Sequence, residues 1–327
     1  MKIVLVGNVC IPALKYGAIE RIICWLGKEL SKMGHEVTYL VSEGSYGHYG
    51  KIIVRDEKRT LESQIPVDAD VVHFHYPINN YTDKPHIVTI HGNSSSSRPF
   101  SINSVFVSND HATRYGATAY VYNGIDAEEY GKPNFSYKRS YFHFLGKAAW
   151  RTKNVRGAID VAVAAKETLF VLGGTRLNIK MGFRFTFNPN VKFRGMVGGE
   201  EKNNLIARSK GMIFPVRWHE PFGIAMMESL YLGCPIFGTP YGALPELIVP
   251  EVGHLSSSCS ALADAVREVE TFNRKSCYEY VCDNFLSKKM ALDYLEKYKQ
   301  VIEGQALNKA IPVLQEINTP KFLPWTN

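Results

Sequence analysis

Short, mostly apolar runs ending at polar turns recur along this chain and dictate its architecture. Ile3 to Val6, Val37 to Val41, Val71 to Phe74, Ile87 to Ile90 and Val105 to Val107 are of this kind. A strand wetted on one side alternates apolar and polar residues. A near-continuous apolar strand is covered on both faces, as in a parallel sheet. Between the first two runs, Ile19, Ile22, Ile23, Leu26 and Leu30 recur at helical spacing over Ile19 to Met33, and Gly34 offers the helix its C-terminal stop. Strand, loop, helix, strand in this order predicts a doubly wound α/β domain.

After a polar stretch from Glu128 to Ser140 the pattern restarts. Strands are expected at Tyr141 to Leu145, Leu169 to Leu172, Val191 to Phe193, Met212 to Phe214 and Ile236 to Phe237. Helices are expected at Val155 to Lys166, Glu200 to Arg208, Phe222 to Leu232, Ala261 to Thr271, Lys275 to Phe285 and Lys288 to Ile302. This divides the chain into an N-terminal domain over 1–137, a C-terminal domain over 138–304 and a tail over 305–327, which is expected to pack back on the N-terminal domain. Two such halves are expected to face a central cleft. Ligands of doubly wound sheets lie outside the carboxyl ends of the strands, so chemistry belongs in loops that follow strands.

Lys plus Arg number 38 against 31 Asp plus Glu, a net +7 with no basic run, which does not make a nucleic-acid binder. Apolar residues at 45% exclude a disordered chain. No apolar stretch reaches the roughly 18 residues of a membrane span. Six cysteines without a C-x-x-C pair suit a reducing cytoplasm. Lys15, Tyr16, Lys51, Lys58 and Arg59 are candidates for peripheral contact with the inner membrane face.

The segment Phe214 to Glu228, F-P-V-R-W-H-E-P-F-G-I-A-M-M-E, follows a strand and opens a helix, with Pro221 placed near the first helical position. Backbone N–H groups around Phe222 to Ile224 would be unpaired and suited to phosphate or sugar oxygens. Glu220 and Glu228 could accept sugar and ribose hydroxyls, or merely complement a helix dipole. His91 ends a strand. His73 and His75 alternate on another, and two histidines without a third ligand do not make a zinc site, which leaves packing or cleft lining. Asp68-Ala69-Asp70 precedes its strand and reads as a turn rather than a metal site.

The string E-P-F-G-I-A-M-M-E resembles the E-x7-E motif of the retaining glycosyltransferases of family 4. Tyr16 to Arg21 is similar to that family's Gly-Gly-x-Glu loop, Thr89-Ile90-His91-Gly92 to its His-Gly motif, and Val121 to Asp126 to its N-G-I-D segment. Phe144 to Lys147 with Lys153-Asn154 resembles its F-x-G-R…K-G loop, and Gly242 to Glu246 its G-x-x-P-E segment. The resemblance runs over about residues 1–304 and implies the GT-B fold, two Rossmann-like domains.

It further implies transfer of a hexose from a nucleotide-diphosphate sugar to a glycan or lipid-linked sugar, with retention and without a metal or other cofactor. Negative charge grows on the departing diphosphate and needs a positive group in the transition state. The family's basic pair falls on Lys147 and Lys153, with Arg151 beside them; Lys147 stands where the family has Arg. His91, Lys147, Lys153 and Glu220 are the expected catalytic residues. Gly17, Ala18, Arg151, Pro221, Phe222, Gly223, Ile224 and Glu228 are the expected donor-binding ones, Ala18 replacing the family's second glycine. A nucleotide-sugar epimerase of the same fold, or a binding protein without turnover, are the alternatives.

Overall fold

The computed structural model describes every residue except 14–16, 48, 79–80, 82, 95, 180 and 317–320. Lys15 and Tyr16 therefore lie outside the described residues. The chain forms two compact units, 1–126 with 285–318 and 127–284 with 319–327.

The first unit is built on β1 (Lys2–Val6), α1 (Ala18–Lys32), β2 (Glu36–Val41), β3 (Lys51–Val54), β4 (Val71–Phe74), β5 (His86–Ile90), β6 (Ser104–Phe106) and α2 (Asn109–Arg114). Its six strands run in the order β3-β2-β1-β4-β5-β6, all parallel. Ile3 to Val6, Val71, Val72 and Phe74 are buried, as the apolar runs require. Strand β3 and helix α2 were not expected from sequence. Strand β3 is a short edge strand whose side chains are all partly open, so it lacks the fully apolar signature. The Asp68–Asp70 turn is structural: Asp70 accepts the Lys2 N–H at 2.7 Å and Asp68 pairs with the Lys2 ammonium at 2.6 Å.

The second unit contains β7 (Tyr141–Leu145), α3 (Val155–Ala164), β8 (Leu169–Leu172), β9 (Leu177–Asn178), β10 (Arg184–Phe185), β11 (Val191–Phe193), α4 (Gly199–Ala207) and β12 (Ser209–Phe214). It continues through α5 (Ile224–Tyr231), β13 (Ile236–Gly238), α6 (Leu244–Leu247), β14 (Gly253–Leu255), α7 (Cys259–Arg267) and α8 (Arg274–Asn284). Six parallel strands run β11-β8-β7-β12-β13-β14, and β9 and β10 form a separate antiparallel hairpin. Counting strands from the start of each six-stranded sheet, both have the order 3-2-1-4-5-6. The crossover direction therefore reverses between the first and fourth strands.

The division of the chain departs from the one read in sequence. The boundary falls at 126/127 rather than 137/138. Helix α9 (Ser287–Ile302), assigned above to 138–304, belongs to the first unit. The N-G-I-D segment explains this. Ile125 N–H donates to Phe285 O at 2.8 Å and Ser287 N–H donates to Ile125 O at 2.8 Å. A Cβ at Gly124 would meet the Leu286 carbonyl oxygen at 2.4 Å, so only glycine lets these backbones close. Asp126 then pairs with buried Lys28 of α1. From α9, Tyr298 and Tyr294 reach the first sheet: Tyr298 OH lies 2.8 Å from His73 Nδ1 and Tyr294 OH 2.8 Å from Thr89 Oγ1.

The tail also departs from expectation, because it serves both units. Phe100 N–H donates to Pro312 O at 2.8 Å and Val313 N–H to Tyr115 O at 2.9 Å in the first. In the second, Leu323 N–H donates to Arg217 O at 2.9 Å and Cys259 N–H to Thr326 O at 2.8 Å. Among the described residues no helix is long and apolar enough to cross a membrane.

Candidate functional site

In the second unit the reversal point lies between β7 and β12, and the loops after these strands carry most of the expected site residues. After β7, Gly146 leads through exposed Lys147 to a short 3-10 turn over Arg151–Lys153. Asn154 follows in the left-handed conformation, φ 53°. Asn is among the few non-glycine residues that adopt it readily. Its Oδ1 accepts the Gly157 N–H of α3 at 3.1 Å, and its Nδ2 donates to Pro215 O at 2.9 Å. One side chain thus caps α3 and ties the loop after β7 to the end of β12. This accounts for Asn154 at a position where the resembled family has glycine.

The two loops bring Lys153 and Glu220 together. Lys153 Nζ lies 2.5 Å from Glu220 Oε2, with side-chain exposures of 13% and 7%. Trp218 Nε1–H donates to the same oxygen at 2.9 Å, and the ammonium sits 4.9 Å from the Trp218 ring centre. The G-x-x-P-E segment sets the backbone of Glu220: Ala243 N–H donates to Glu220 O at 2.9 Å. A Cβ on Gly242 would lie 2.3 Å from the Glu220 nitrogen, which explains the glycine. Lys147 lies over the Trp150 ring at 5.4 Å and Arg151 over Phe322 at 4.8 Å.

Helix α5 begins later than its sequence indicates. Gly223 is its N-cap, at φ 87°, so Pro221 lies before the helix and not at its first position. A left-handed N-cap delays the helical register, which moves the leading N–H groups from Phe222–Ile224 to those beginning at Ile224. Pro221, Phe222 and Ile224 are buried, so only their backbone can serve a ligand. Glu228, one turn further on, is 2% exposed. Its Oε1 accepts from Tyr130 OH at 2.7 Å and pairs with Lys202 Nζ at 2.5 Å. Trp218, Tyr130 and Lys202 were not singled out in sequence. Trp218 lay inside the informative string, whereas Tyr130 and Lys202 are distant in the chain and carry no motif.

In the first unit, Gly17 is buried and Ala18, exposed, opens α1; Arg21 Nε–H donates to Gly17 O at 3.3 Å. Tyr16 of that loop lies outside the described residues. His91 follows β5, and its Nε2 lies 3.0 Å from His75 Nδ1. His75 in turn stacks on His73 at 4.0 Å. His73 Nε2 lies 2.7 Å from Thr89 Oγ1. His73 is therefore a packed core residue, while His75 touches His91. Burial pushes the His91 imidazole down to about 4 and those of His73 and His75 well below the usual range, so all three are neutral near pH 7. Among the described residues no three His, Cys, Asp or Glu side chains are grouped to hold a metal.

Over residues 139–271 the chain matches the family of group 1 glycosyl transferases. No curated protein matches it by sequence. Among solved structures it is similar to AviGT4, a glycosyltransferase involved in avilamycin A biosynthesis, with TM-score 0.77 and 21% identity over 93% of this chain and 98% of that one. Anabaena HepE in complex with UDP-glucose superposes with TM-score 0.64 and 15% identity over 92% of this chain and 100% of that one. Starch synthase IV from Arabidopsis thaliana, bound to ADP and acarbose, gives 0.67 and 13% over 92% and 99%. These likenesses, with two parallel six-stranded sheets flanked by helices, make the fold GT-B.

Proposed function

We propose that this chain is a retaining glycosyltransferase that moves a hexose from a nucleotide-diphosphate sugar to a glycan or lipid-linked sugar without a metal. The observation that carries this reading is the buried Lys153–Glu220 pair at the reversal point of a unit whose residues 139–271 match group 1 glycosyl transferases. A cation held there is already oriented when charge grows on the leaving phosphate, so little reorganisation is needed in the transition state. Lys147 and Arg151, on the same loop, add positive charge. Glu220 and the leading N–H groups of α5 receive sugar and phosphate oxygens, and Glu228 receives the ribose. Gly17 and Ala18 contribute backbone to the phosphates. His91, neutral, offers the sugar a hydrogen bond.

In the proposed step the bond between the anomeric carbon and the phosphate oxygen breaks as an oxocarbenium-like ion pair. The acceptor oxygen bonds to that carbon on the same face, and its proton passes to the leaving phosphate. Complexes of the similar structures with UDP-glucose and with ADP support a nucleotide-sugar donor.

A thermal-shift panel of nucleotide sugars followed by NMR of the product tests the proposal. A binding donor at a hundredfold its Kd adds about 2.7 kcal/mol of stability. Retained anomeric configuration, unchanged by a chelator, is the expected result. An inverted product or chelator-abolished turnover refutes it. An isomerised donor without acceptor would identify an epimerase, and binding without turnover a carrier.

A further inference from the structure

The segment between β8 and β11 has its polarity turned outward. Leu177, Ile179, Met181, Phe183, Phe185 and Phe187 take alternate positions. Leu177 pairs with Phe185 across the β9–β10 ladder, which puts these two side chains on the same face of the hairpin. All six are exposed, Ile179, Phe183 and Phe187 at 72%, 80% and 84%. The polar side is satisfied from within. Arg176 donates to the carbonyls of Thr186, Asn188 and Val191. Arg184 donates to Thr186 Oγ1 and Thr175 O. Scattered exposed apolar residues are ordinary on a protein surface; six in one short hairpin are not.

The surroundings are basic. Residues 168–199 contain no Asp or Glu, but they hold Arg176, Lys180, Arg184, Lys192 and Arg194. A cavity of about 740 Å³ is lined by Phe183 and Phe187 together with Arg151, Arg156 and Arg217, and Asp160 is the one carboxylate among its described lining residues.

We propose that this hairpin docks the protein on an anionic lipid bilayer, with its exposed phenylalanines entering the headgroup boundary and the net positive charge of the segment drawing it to the anionic surface. Aromatic rings with cationic side chains suit that boundary, where one end is apolar and the other wet. A second copy of the chain fits worse. A two-fold contact would set like guanidinium groups against each other, and a stable interface needs roughly 800 Å² per partner. The stretch around Lys51, Lys58 and Arg59, expected above to meet the membrane, is balanced. Residues 43–62 hold four basic side chains (Lys51, Arg55, Lys58, Arg59) and four acidic ones (Glu43, Asp56, Glu57, Glu62).

Vesicle flotation of the full chain tests this without reference to catalysis. The wild type is expected to float with phosphatidylcholine containing about one-third phosphatidylglycerol, to ignore pure phosphatidylcholine, and to detach as salt rises. The I179S/F183S/F187S variant should lose at least about tenfold in partitioning with its circular dichroism unchanged, whereas K51Q/K58Q/R59Q should float normally. The F183W variant should shift its emission to the blue on anionic vesicles. Undiminished flotation of the serine variant, no flotation of the wild type at low salt, or unshifted F183W emission would overturn the proposal. So would a concentration-dependent dimer that the serine variant abolishes, which would make the face a contact between copies.

Discussion

Replacing Lys153 by Met removes an ammonium 2.5 Å from a carboxylate whose side chain is 7% exposed, leaving Glu220, among the described residues, only the Trp218 N–H at 2.9 Å. Breaking one half of a buried pair costs about 3–5 kcal/mol, mainly because the surviving charge is stranded. The retained indole bond places this case near the lower end, about 3 kcal/mol. For a unit of this size that is a fall of roughly 6–12 °C in melting temperature. K153M/E220Q strands no charge and should recover most of the loss, a coupling of at least about 2 kcal/mol. Turnover should behave differently. K153M is expected to lose about 10²–10³ in kcat, and the double variant should not regain it, because the cation that meets the leaving phosphate is still absent. Urea melts give the stability cycle, and initial rates with the donor found by thermal shift give the other. A K153M protein within about 1 kcal/mol of wild type would refute the claim that the pair is buried and mutually dependent. Wild-type turnover in K153M would refute the assignment of Lys153 to the diphosphate.

Three further outcomes are expected. His91, His111 and His143 are depressed to about 4, 3 and 3 by burial, and His73 and His75 lie well below their usual range. The unfolded chain therefore binds more protons than the folded one below about pH 6.5, so the stability these groups contribute is present above that pH and drains as pH falls. Urea midpoints should be level from about pH 7 to 8 and drop by pH 5, and an equal midpoint at pH 5 would contradict the burial of these rings. Removing the His75 partner of His91 in H75F should lower kcat/KM about tenfold, the worth of one hydrogen bond, with H75Q recovering part of it; no change would show that His91 needs no such partner. At Asn154, N154A loses the cap and forces Ala to φ 53°, for about 2–3 kcal/mol, while N154G keeps the backbone and should cost about half as much; equal losses in thermal melts would put the whole effect in the cap.

Much of the fold was legible because burial on both faces leaves a one-dimensional trace. The runs at Ile3 to Val6 and Tyr141 to Leu145 could only be inner strands, and both are. The same rule missed β3, half open at its edge, and the β9–β10 hairpin, whose apolar residues are exposed. Lys147, Lys153 and Glu220 were singled out because their segments resemble family motifs, and the structure places all three in the loops after β7 and β12. The helix start at α5 was misplaced because Gly223 was read as part of the helix and took a left-handed φ instead.

What the sequence determined by itself was local: which segments are strands, where loops carry charge, and where glycine permits close approach. Tertiary structure alone decided that α9 belongs with the first unit, that Lys153 meets Glu220, that Lys202 and Tyr130 hold Glu228, and that His75 meets His91. Each of these joins residues from separate segments. Periodicity records only whether a side chain is buried, and the partner it is buried against depends on how distant backbones are brought together.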